Sequence, residues 1–438
     1  MSASRVAVVG GGVAGITAAL DCAERGAQVT LLEVRPRLGG AAYSFERDGI
    51  SLDNGQHVFL RCCTAYRALL ERIGGSGGVR LQPRLEIPVL APGARSATLR
   101  RSRLPAPLHL APALLRYRHL SLVERLAAGR VALAIGRVEP ERDDETLGQW
   151  LRDHGQSSRA IANLWDLIAL PTLNVPAAEA SLGLGAFVFQ EGLLRHAAAG
   201  DIGIHRAPLS EIIGTPAAQA LARAGVDVRL RWRARAIEPY QAGYEVAGER
   251  ESVTADAVIL AVPHTRAAAL LPPALRDDAA WAQGLGSSPI VNLHVVYDRH
   301  VLDHSFAAGV DTPVQYVFDR TPPSWSDGRQ YIAVSLSGAQ AESSMRPEEL
   351  RALYIPALSE LLPESAHAEV LLFAVTREHA ATFRATPGTR ALRPVAATRM
   401  PGFALAGAWT ATDWPATLEG ATRSGHSAAE VVLSGQTS

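Results

Sequence analysis

The chain has 438 residues, of which 47% are hydrophobic, and its formal net charge is zero. This length allows two or three domains with a sizeable core, and the balanced charge gives no indication of a nucleic-acid partner. The three cysteines, Cys22, Cys62 and Cys63, lack the spacing of a disulfide framework or a metal site. We therefore expect no metal ion and a reducing, cytoplasmic environment.

The N-terminus carries no recognisable secretory signal, because it enters a strand almost at once and that strand runs into glycines. No uninterrupted apolar run reaches the roughly 20 residues that a membrane-spanning helix needs. Any membrane contact is therefore expected to be peripheral, on the inner face of the cytoplasmic membrane.

The first elements in chain order form a βαβ unit of about thirty residues. A β-branched strand over 5–9 is followed by glycines at 10–12, a helix over 16–25 that stops at Gly26, and a second strand over 28–33. Strands of this apolar kind are typical of a parallel sheet that is buried on both faces.

Further along the chain, apolar periodicity and breaker residues predict alternating helices and strands. Helices are predicted over 64–73, over 146–170 with an end at Pro171, and over 215–224; strands are predicted over 226–231, 233–237, 244–246 and 257–262. The alternating segments 289–297 and 331–337 indicate half-buried antiparallel strands. A last strand over 403–406 precedes a helix over 417–433.

The glycine turn of the βαβ unit has the spacing of a dinucleotide-binding motif. Gly10 allows a tight turn, Gly12 lets the backbone approach a pyrophosphate, and Gly15 lets helix and strand pack closely. The helix N-terminus offers free N–H groups to the phosphates. Glu33, at the end of the second strand, suits ribose hydroxyls and disfavours a 2′-phosphate, so NADP is not expected in this site.

The double glycine that follows makes the pattern more specific. Glu33, the basic loop with Arg35, and the pair Gly39-Gly40 together resemble the amine oxidase and phytoene desaturase superfamily of flavoproteins. Ala41 stands where that family usually has arginine. The resemblance implies that FAD is held along this end by residues Gly10, Gly11, Gly12, Val13, Ala14, Gly15, Glu33, Val34, Arg35, Gly39, Gly40 and Ala41, with adenine near the backbone of Val228.

The C-terminal segment resembles the superfamily's second flavin motif. The turn at Gly407 and Ala408 and the helix start at Thr417 and Leu418 are the residues that the resemblance places against the flavin. Ala408 replaces the family's usual aspartate, and Asp413 is a candidate substitute whose position the spacing does not determine.

Four further segments of the sequence indicate which group of the superfamily the chain resembles. Residues 52–58, 170–181, 257–263 and 414–420 resemble the squalene-associated flavin desaturase group of bacterial hopanoid pathways, whose members act as hydroxysqualene dehydroxylases. This implies an α/β fold with a Rossmann-type FAD-binding domain and an interleaved α+β substrate domain. We expect the former to comprise 1–80, 205–270 and 395–438, and the latter 81–204 and 271–394.

The reaction of that group replaces an allylic hydroxyl by hydride from reduced flavin, so a proton donor is expected near the leaving oxygen. His57 is the leading catalytic candidate, with Gln56 and Asp53 behind it. Two other interpretations stay open: that Gly55, Gln56 and His57 only contact the flavin, or that His57 is an ordinary core histidine. Cys62 and Cys63 are placed on the following helix as structural thiols. Candidates to line an isoprenoid pocket are Trp165, Phe187 and Phe189.

The segment 104–130 mixes leucines with arginines and is a candidate membrane-facing surface near residues 100–130. A long isoprenoid such as hydroxysqualene resides in the bilayer, since each methylene removed from water gains about 0.8 kcal/mol. An ordinary amphipathic helix pair is the alternative. Rival functions are a carotenoid-type desaturase, an amine-oxidase-like flavoenzyme and a flavin-free prenyl-binding protein. The sequence does not identify the electron donor that would reduce the flavin.

Overall fold

The computed structural model describes residues 4–434. The strands of this part of the chain are β1 (Arg5–Val9), β2 (Gln28–Glu33), β3 (Ser44–Arg47), β4 (Ile50–Asp53), β5 (Val58–Leu60), β6 (Val79–Leu81), β7 (Glu86–Leu90), β8 (Ala97–Arg100), β9 (Ile202–His205), β10 (Asp227–Leu230), β11 (Ala236–Tyr240), β12 (Gly243–Ala247), β13 (Ser252–Ala255), β14 (Ala257–Leu260), β15 (Ser288–Tyr297), β16 (Phe306–Gly309), β17 (Tyr316–Asp319), β18 (Gln330–Ser337), β19 (Val370–Thr382) and β20 (Phe403–Leu405).

The α-helices of the same part are α1 (Val13–Glu24), α2 (Thr64–Ile73), α3 (Ala111–Arg116), α4 (Leu122–Ile135), α5 (Leu147–Asp153), α6 (Ser158–Ala160), α7 (Asp166–Leu173), α8 (Leu182–Phe189), α9 (Thr215–Arg223), α10 (His264–Leu270), α11 (Trp281–Gly284), α12 (Gln340–Ser344), α13 (Pro347–Leu361), α14 (Thr389–Leu392) and α15 (Leu418–Ser434). Turns of π-helix occupy Ile161–Trp165, Gln190–Leu194 and Ser210–Gly214. Within residues 4–434, the helices are all too short or too polar to span a bilayer.

A five-stranded parallel sheet, ordered β10-β2-β1-β14-β20, gathers strands from both ends and the middle of the chain. Its central strands are buried on both faces, as the valine-rich sequences predict. Helices α1 and α15 pack together on this sheet, and Gly425 permits the contact because a Cβ there would overlap the Ala14 carbonyl oxygen. The predicted α/β fold with a Rossmann-type sheet is confirmed.

A seven-stranded mixed sheet, ordered β19-β15-β18-β17-β16-β7-β8, forms the second large layer. The smaller sheets are β11-β12-β13, β5-β9-β6 and β3-β4. The chain thus alternates between the parallel sheet and an α+β region, as predicted. The exact domain boundaries, at residues 80, 205, 270 and 395, stay predictions.

The prediction of half-buried strands over 289–297 and 331–337 was wrong, since both β15 and β18 are almost entirely buried. They are interior strands, and α13 covers the face of the sheet that lies away from the rest of the core. The alternating polar residues are therefore buried as well. Asn292 donates a hydrogen bond to the Asn54 carbonyl, and His294 is hydrogen-bonded to the Tyr331 hydroxyl.

The prediction of a single helix over 146–170 was also wrong. Helix α5 closes at Gly155, whose φ is +79°, and a second helical stretch runs from α6 through the π-turn to Leu173. Pro171 lies inside this stretch and cannot bond the Leu167 carbonyl, which accepts the Tyr316 hydroxyl at 2.7 Å instead. A tertiary contact therefore stabilises the helix where local sequence predicts its end.

Candidate functional site

The first glycine turn lies at the carboxyl end of β1, between β14 and α1. A Cβ on Gly10 would overlap the Ala261 carbonyl oxygen, and one on Gly15 would overlap the Gly10 carbonyl oxygen. Gly12 differs, because its Cβ would meet only the Gly40 Cα, at 3.7 Å. Gly10 and Gly15 are therefore required by the packing of the protein itself, whereas the space at Gly12 is open to a ligand.

Glu33 ends β2 beside this turn and is only 6% exposed. One carboxylate oxygen accepts the Gly11 N–H and the other the Arg35 N–H, both at 2.6 Å. Each oxygen keeps a further lone pair for a ribose hydroxyl. Val34 is exposed, and Val228 lies opposite Leu31 on the neighbouring strand β10.

The double glycine packs directly against the first turn. Gly39 and Gly40 have φ values of +104° and +60°, and the Gly39 N–H donates to the Gly11 carbonyl at 2.9 Å. Ala41 offers no cation, but Arg37 reaches the same turn: its guanidinium donates to the Gly40 carbonyl at 3.2 Å and lies 3.4 Å from the Tyr43 ring centroid. Arg37 thus supplies positive charge where the family's usual arginine is missing.

The loop after β4 is anchored to the seven-stranded sheet and to the double-glycine turn. Asp53, 4% exposed, pairs with Arg320 at 2.7 Å and accepts the Leu209 N–H at 3.0 Å. The Asn54 side chain donates to the Ala41 carbonyl and to Glu378, both at 2.9 Å. This loop therefore touches the double-glycine turn directly.

The same loop is held from β15, where Asn292 donates to the Asn54 carbonyl at 3.1 Å and accepts the Gln56 N–H at 3.4 Å. Gly55 lies beside this amide. The Gln56 side-chain nitrogen Nε2 is buried without a hydrogen-bond acceptor among residues 4–434. His57 is half-buried, and burial lowers the pKa of its imidazole although Asp53 and Glu378 oppose the shift. His57 is therefore predominantly neutral at pH 7.

Two buried histidines support this loop, His205 directly and His294 through Thr376, whose hydroxyl donates to the Asn54 carbonyl at 3.1 Å. His205 bonds the His57 carbonyl through Nδ1 at 2.6 Å, so its Nε2 accepts the Tyr66 hydroxyl at 2.8 Å. His294 lies between Tyr331, at 2.6 Å, and Thr376, at 3.1 Å. Burial lowers the pKa of both histidines to about 3. Both are consequently neutral in the folded protein.

These neutral histidines predict a loss of stability in acid. The unfolded chain binds their protons near pH 6.5 and the folded chain only near pH 3. The free energy of unfolding should therefore fall as the pH drops through that window, by about 1.4 kcal/mol per pH unit for each histidine. The free energy of unfolding can be measured by urea titration at a series of pH values. Plotted against pH, it should have a slope shallower by one proton in H205Q and in H294Q than in the wild-type protein. A pH slope equal to that of the wild-type protein in both variants would contradict the assignment.

The second predicted motif lies at the end of β20. The Gly407 N–H donates to the Ser424 hydroxyl at 2.9 Å, which ties the turn to α15. Buried Arg393 donates to the carbonyls of Ala408 and Thr410, and burial lowers its pKa to about 10, so it stays charged at neutral pH. Asp413 lies at the surface and pairs with Arg390, so it does not substitute for the family's aspartate within this turn.

The start of α15 is positioned by a buried carboxylate. Leu418 begins the helix, and the hydroxyl of the preceding Thr417 accepts the Gly420 N–H at 3.2 Å. The residue after Leu418, Glu419, is 1% exposed. Glu419 accepts the N–H groups of Ala65 and Tyr66 at the start of α2, at 3.2 and 2.8 Å. Cys62 and Cys63 precede α2 rather than lying on it, because the helix begins at Thr64.

The aromatic pocket candidates separate into two groups. Trp165 and Phe189 are buried and pack edge-to-face, with ring centroids 4.9 Å apart. Phe187 is half-buried and packs edge-to-face on Trp414, with centroids 5.3 Å apart, next to the second motif. Of the three, only Phe187 contacts an aromatic residue of the second-motif segment.

The sequence pattern that defines the family described as "Flavin containing amine oxidoreductase" matches residues 13–433. The chain belongs to this family. It is 28% identical to a hydroxysqualene dehydroxylase of Rhodopseudomonas palustris over 98% of each chain. It is 26% identical to a probable zeta-carotene desaturase of Synechococcus elongatus over 99% of each chain. A solved putrescine oxidase, a triple mutant from a redesign of cofactor binding, shares the fold with a TM-score of 0.74 at 19% identity, over 98% of this chain and 99% of that one.

The protein is thus an FAD-dependent oxidoreductase, and its own residues fit that cofactor. The first turn leaves the Gly12 backbone open, no side chain caps the N-terminus of α1, and Gln56 Nε2 lacks an acceptor. Family membership does not support the flavin-free prenyl-binding alternative. The sequence contains no lysine, so every basic residue other than histidine is an arginine, which cannot act as a proton donor at neutral pH.

Proposed function

We propose that this flavoenzyme is a hydroxysqualene dehydroxylase, which reduces hydroxysqualene to squalene. The observation that carries the proposal is the full-length match to the dehydroxylase of R. palustris. That alignment runs over 452 residues, against 483 for the S. elongatus desaturase, while this chain has 438. The dehydroxylase match therefore needs fewer insertions.

Replacing a hydroxyl by hydrogen is a two-electron reduction, in which a C–O bond breaks, a C–H bond forms and the oxygen leaves as water after taking a proton. FAD bound in its reduced form supplies the hydride. The protein's task is to hold the hydroxyl, deliver the proton and exclude water from the developing carbocation.

Gln56 and His57 support this proposal because they sit on the anchored loop between the double glycine and β15. The unpartnered Gln56 amide has a donor available for the substrate's hydroxyl oxygen or a flavin carbonyl. Burial lowers the pKa of His57 and so favours its neutral form, which can donate an N–H hydrogen bond. Burial and the adjacent Glu378 carboxylate raise the pKa of Tyr43, so this phenol stays protonated beside the same loop.

A Gln56→Leu substitution should leave stability unchanged within about 0.5 kcal/mol, since Nε2 has no partner to lose. Turnover of hydroxysqualene should fall about tenfold through the lost hydrogen bond. The matched control is Asn292→Ala, which should cost about 1–3 kcal/mol because it leaves buried groups of the loop unpaired. Urea unfolding and single-turnover rates measure both effects; wild-type turnover in Q56L would remove Gln56 from the site.

The reaction is tested by mixing reduced, anaerobic enzyme with hydroxysqualene and extracting the products. Squalene is the expected product, and its absence would overturn the proposal. A carotenoid desaturase is the second candidate, favoured by the zeta-carotene desaturase match. Incubating the oxidised enzyme with zeta-carotene distinguishes the two, because a desaturase would form a more unsaturated polyene.

A further inference from the structure

Large apolar side chains point outward along one segment of the protein. We call this set the leucine face; it consists of Leu104, Leu108, Leu115, Leu122, Val123, Leu126 and Leu133, each between 46% and 75% exposed. Isolated exposed leucines are ordinary, but a concentration of this kind marks a binding surface.

Helix α4 shows why the leucine face needs a partner. Ala128, Val131 and Ile135 are buried against the core. At 100° per residue, Leu122, Leu126 and Leu133 fall on the opposite side, and all three are exposed. A helix that is apolar on both sides is normally buried on both sides.

The leucine face is one surface because α3 and α4 are tied together. The Arg125 guanidinium donates to the carbonyls of Leu115 and Leu120, at 2.9 and 2.8 Å. The end of α3 therefore lies against α4, which joins their two parts of the leucine face.

The charge around this surface is strongly one-sided. Residues 100–138 contain eight arginines and a single acid, Glu124. Both Glu124 oxygens are occupied within the protein, by the Ser121 N–H at 2.8 Å and the Ser157 hydroxyl at 2.6 Å. Apart from Arg100, which pairs with Glu86, the exposed arginines are Arg103, Arg116, Arg118, Arg130 and Arg137.

We propose that the leucine face inserts into the interface of an anionic phospholipid bilayer, with these arginines on the lipid headgroups. A surface that combines leucines with arginines matches both the acyl chains and the negative headgroups of such a bilayer. A second copy of the chain fits less well, since a symmetric contact would bring two cationic surfaces together.

The helices that support the leucine face also lead to the candidate site. The Tyr117 hydroxyl donates to the Asn163 carbonyl at 2.5 Å, and Gln190 donates to the Ile135 carbonyl at 2.9 Å. From this helical group Phe187 packs on Trp414. If the proposed function holds, the leucine face brings the enzyme to the bilayer in which its isoprenoid substrate dissolves.

The test is co-sedimentation of the FAD-loaded protein with vesicles of phosphatidylcholine, alone or mixed with phosphatidylglycerol. The wild-type protein should bind the mixed vesicles, more weakly at high salt. The variant L122Q/V123S/L126Q should lose at least about tenfold in vesicle affinity. The matched control L353Q/L371Q alters exposed leucines outside the leucine face and should bind as wild type.

Flavin content and melting temperature verify that each variant is folded. Equal vesicle binding by the triple variant, or no binding by the wild-type protein at low salt, would overturn the proposal. The proposal would also be overturned if the wild-type protein and the control variant were dimers in size-exclusion chromatography and the triple variant were a monomer. Turnover of detergent-dispersed hydroxysqualene separates the two proposals. If the dehydroxylase proposal is wrong, the wild-type protein and all variants show no turnover, but the wild-type protein still binds vesicles.

Discussion

A Gly12→Ala variant should fold like the wild-type protein but bind FAD roughly tenfold to 100-fold more weakly. Gly12 has a φ of −78°, which alanine adopts without strain, and its added methyl would meet only the Gly40 Cα, at 3.7 Å. The flavin-free protein therefore tolerates alanine. The added methyl group would, however, occupy the space that a pyrophosphate needs when it approaches this backbone.

Gly15→Ala provides the contrast, since its methyl would overlap the Gly10 carbonyl oxygen. This variant should lose about 3 kcal/mol of stability and with it the flavin. Gly77→Ala is the neutral control, because no atom lies within 4 Å of its added Cβ. Thermal unfolding of the flavin-free proteins, together with FAD titration, separates the cases. Normal FAD affinity in G12A would contradict a pyrophosphate at this turn.

The second large effect is expected from Arg320→Gln, which should cost about 3–5 kcal/mol of stability. Arg320 is the ion-pair partner of buried Asp53 and also donates to the carbonyls of His205 and Ala207. Glutamine leaves the Asp53 carboxylate buried without a counter-charge. The loop that carries Gln56 and His57 should loosen at the same time, so FAD retention and turnover should both decline.

Arg235→Gln is the matched control for this experiment. Arg235 pairs with Glu249 at the surface, where both side chains are more than half exposed, so its loss should cost no more than about 1 kcal/mol. Urea unfolding of the two variants gives the comparison. Equal stabilities would show that the Asp53–Arg320 pair does not anchor the loop.

Local sequence signals predicted the parallel sheet and its cofactor turns well. Gly10, Gly12, Gly15 and the strand ending at Glu33 belong to one βαβ unit of about thirty consecutive residues, so their spacing can be recognised locally. The helix over 64–73 and the closing helix near 418–434 were likewise predicted within a residue or two. Such elements carry their own start and stop residues, so a single sequence is sufficient to find them.

The rest of the site depends on residues far apart in the sequence. Asn292 and Glu378 reach the loop from β15 and β19, and Arg320 follows β17. Asn292 is a polar residue inside an otherwise apolar strand, but the partners of all three residues were not predictable without the sheet order. Arg37 and Arg393, which bring cations to the turns containing Ala41 and Ala408, were missed because the family motif directs attention to the substituted positions.

The central claim is most directly tested by adding hydroxysqualene to the fully reduced enzyme without oxygen and recording the flavin absorbance. The dehydroxylase proposal predicts that the oxidised flavin spectrum returns while squalene forms in an equal amount. As a control, oxygen should reoxidise the bound FAD of the same preparation. A flavin that passes this control but stays reduced after hydroxysqualene is added would contradict the dehydroxylase proposal.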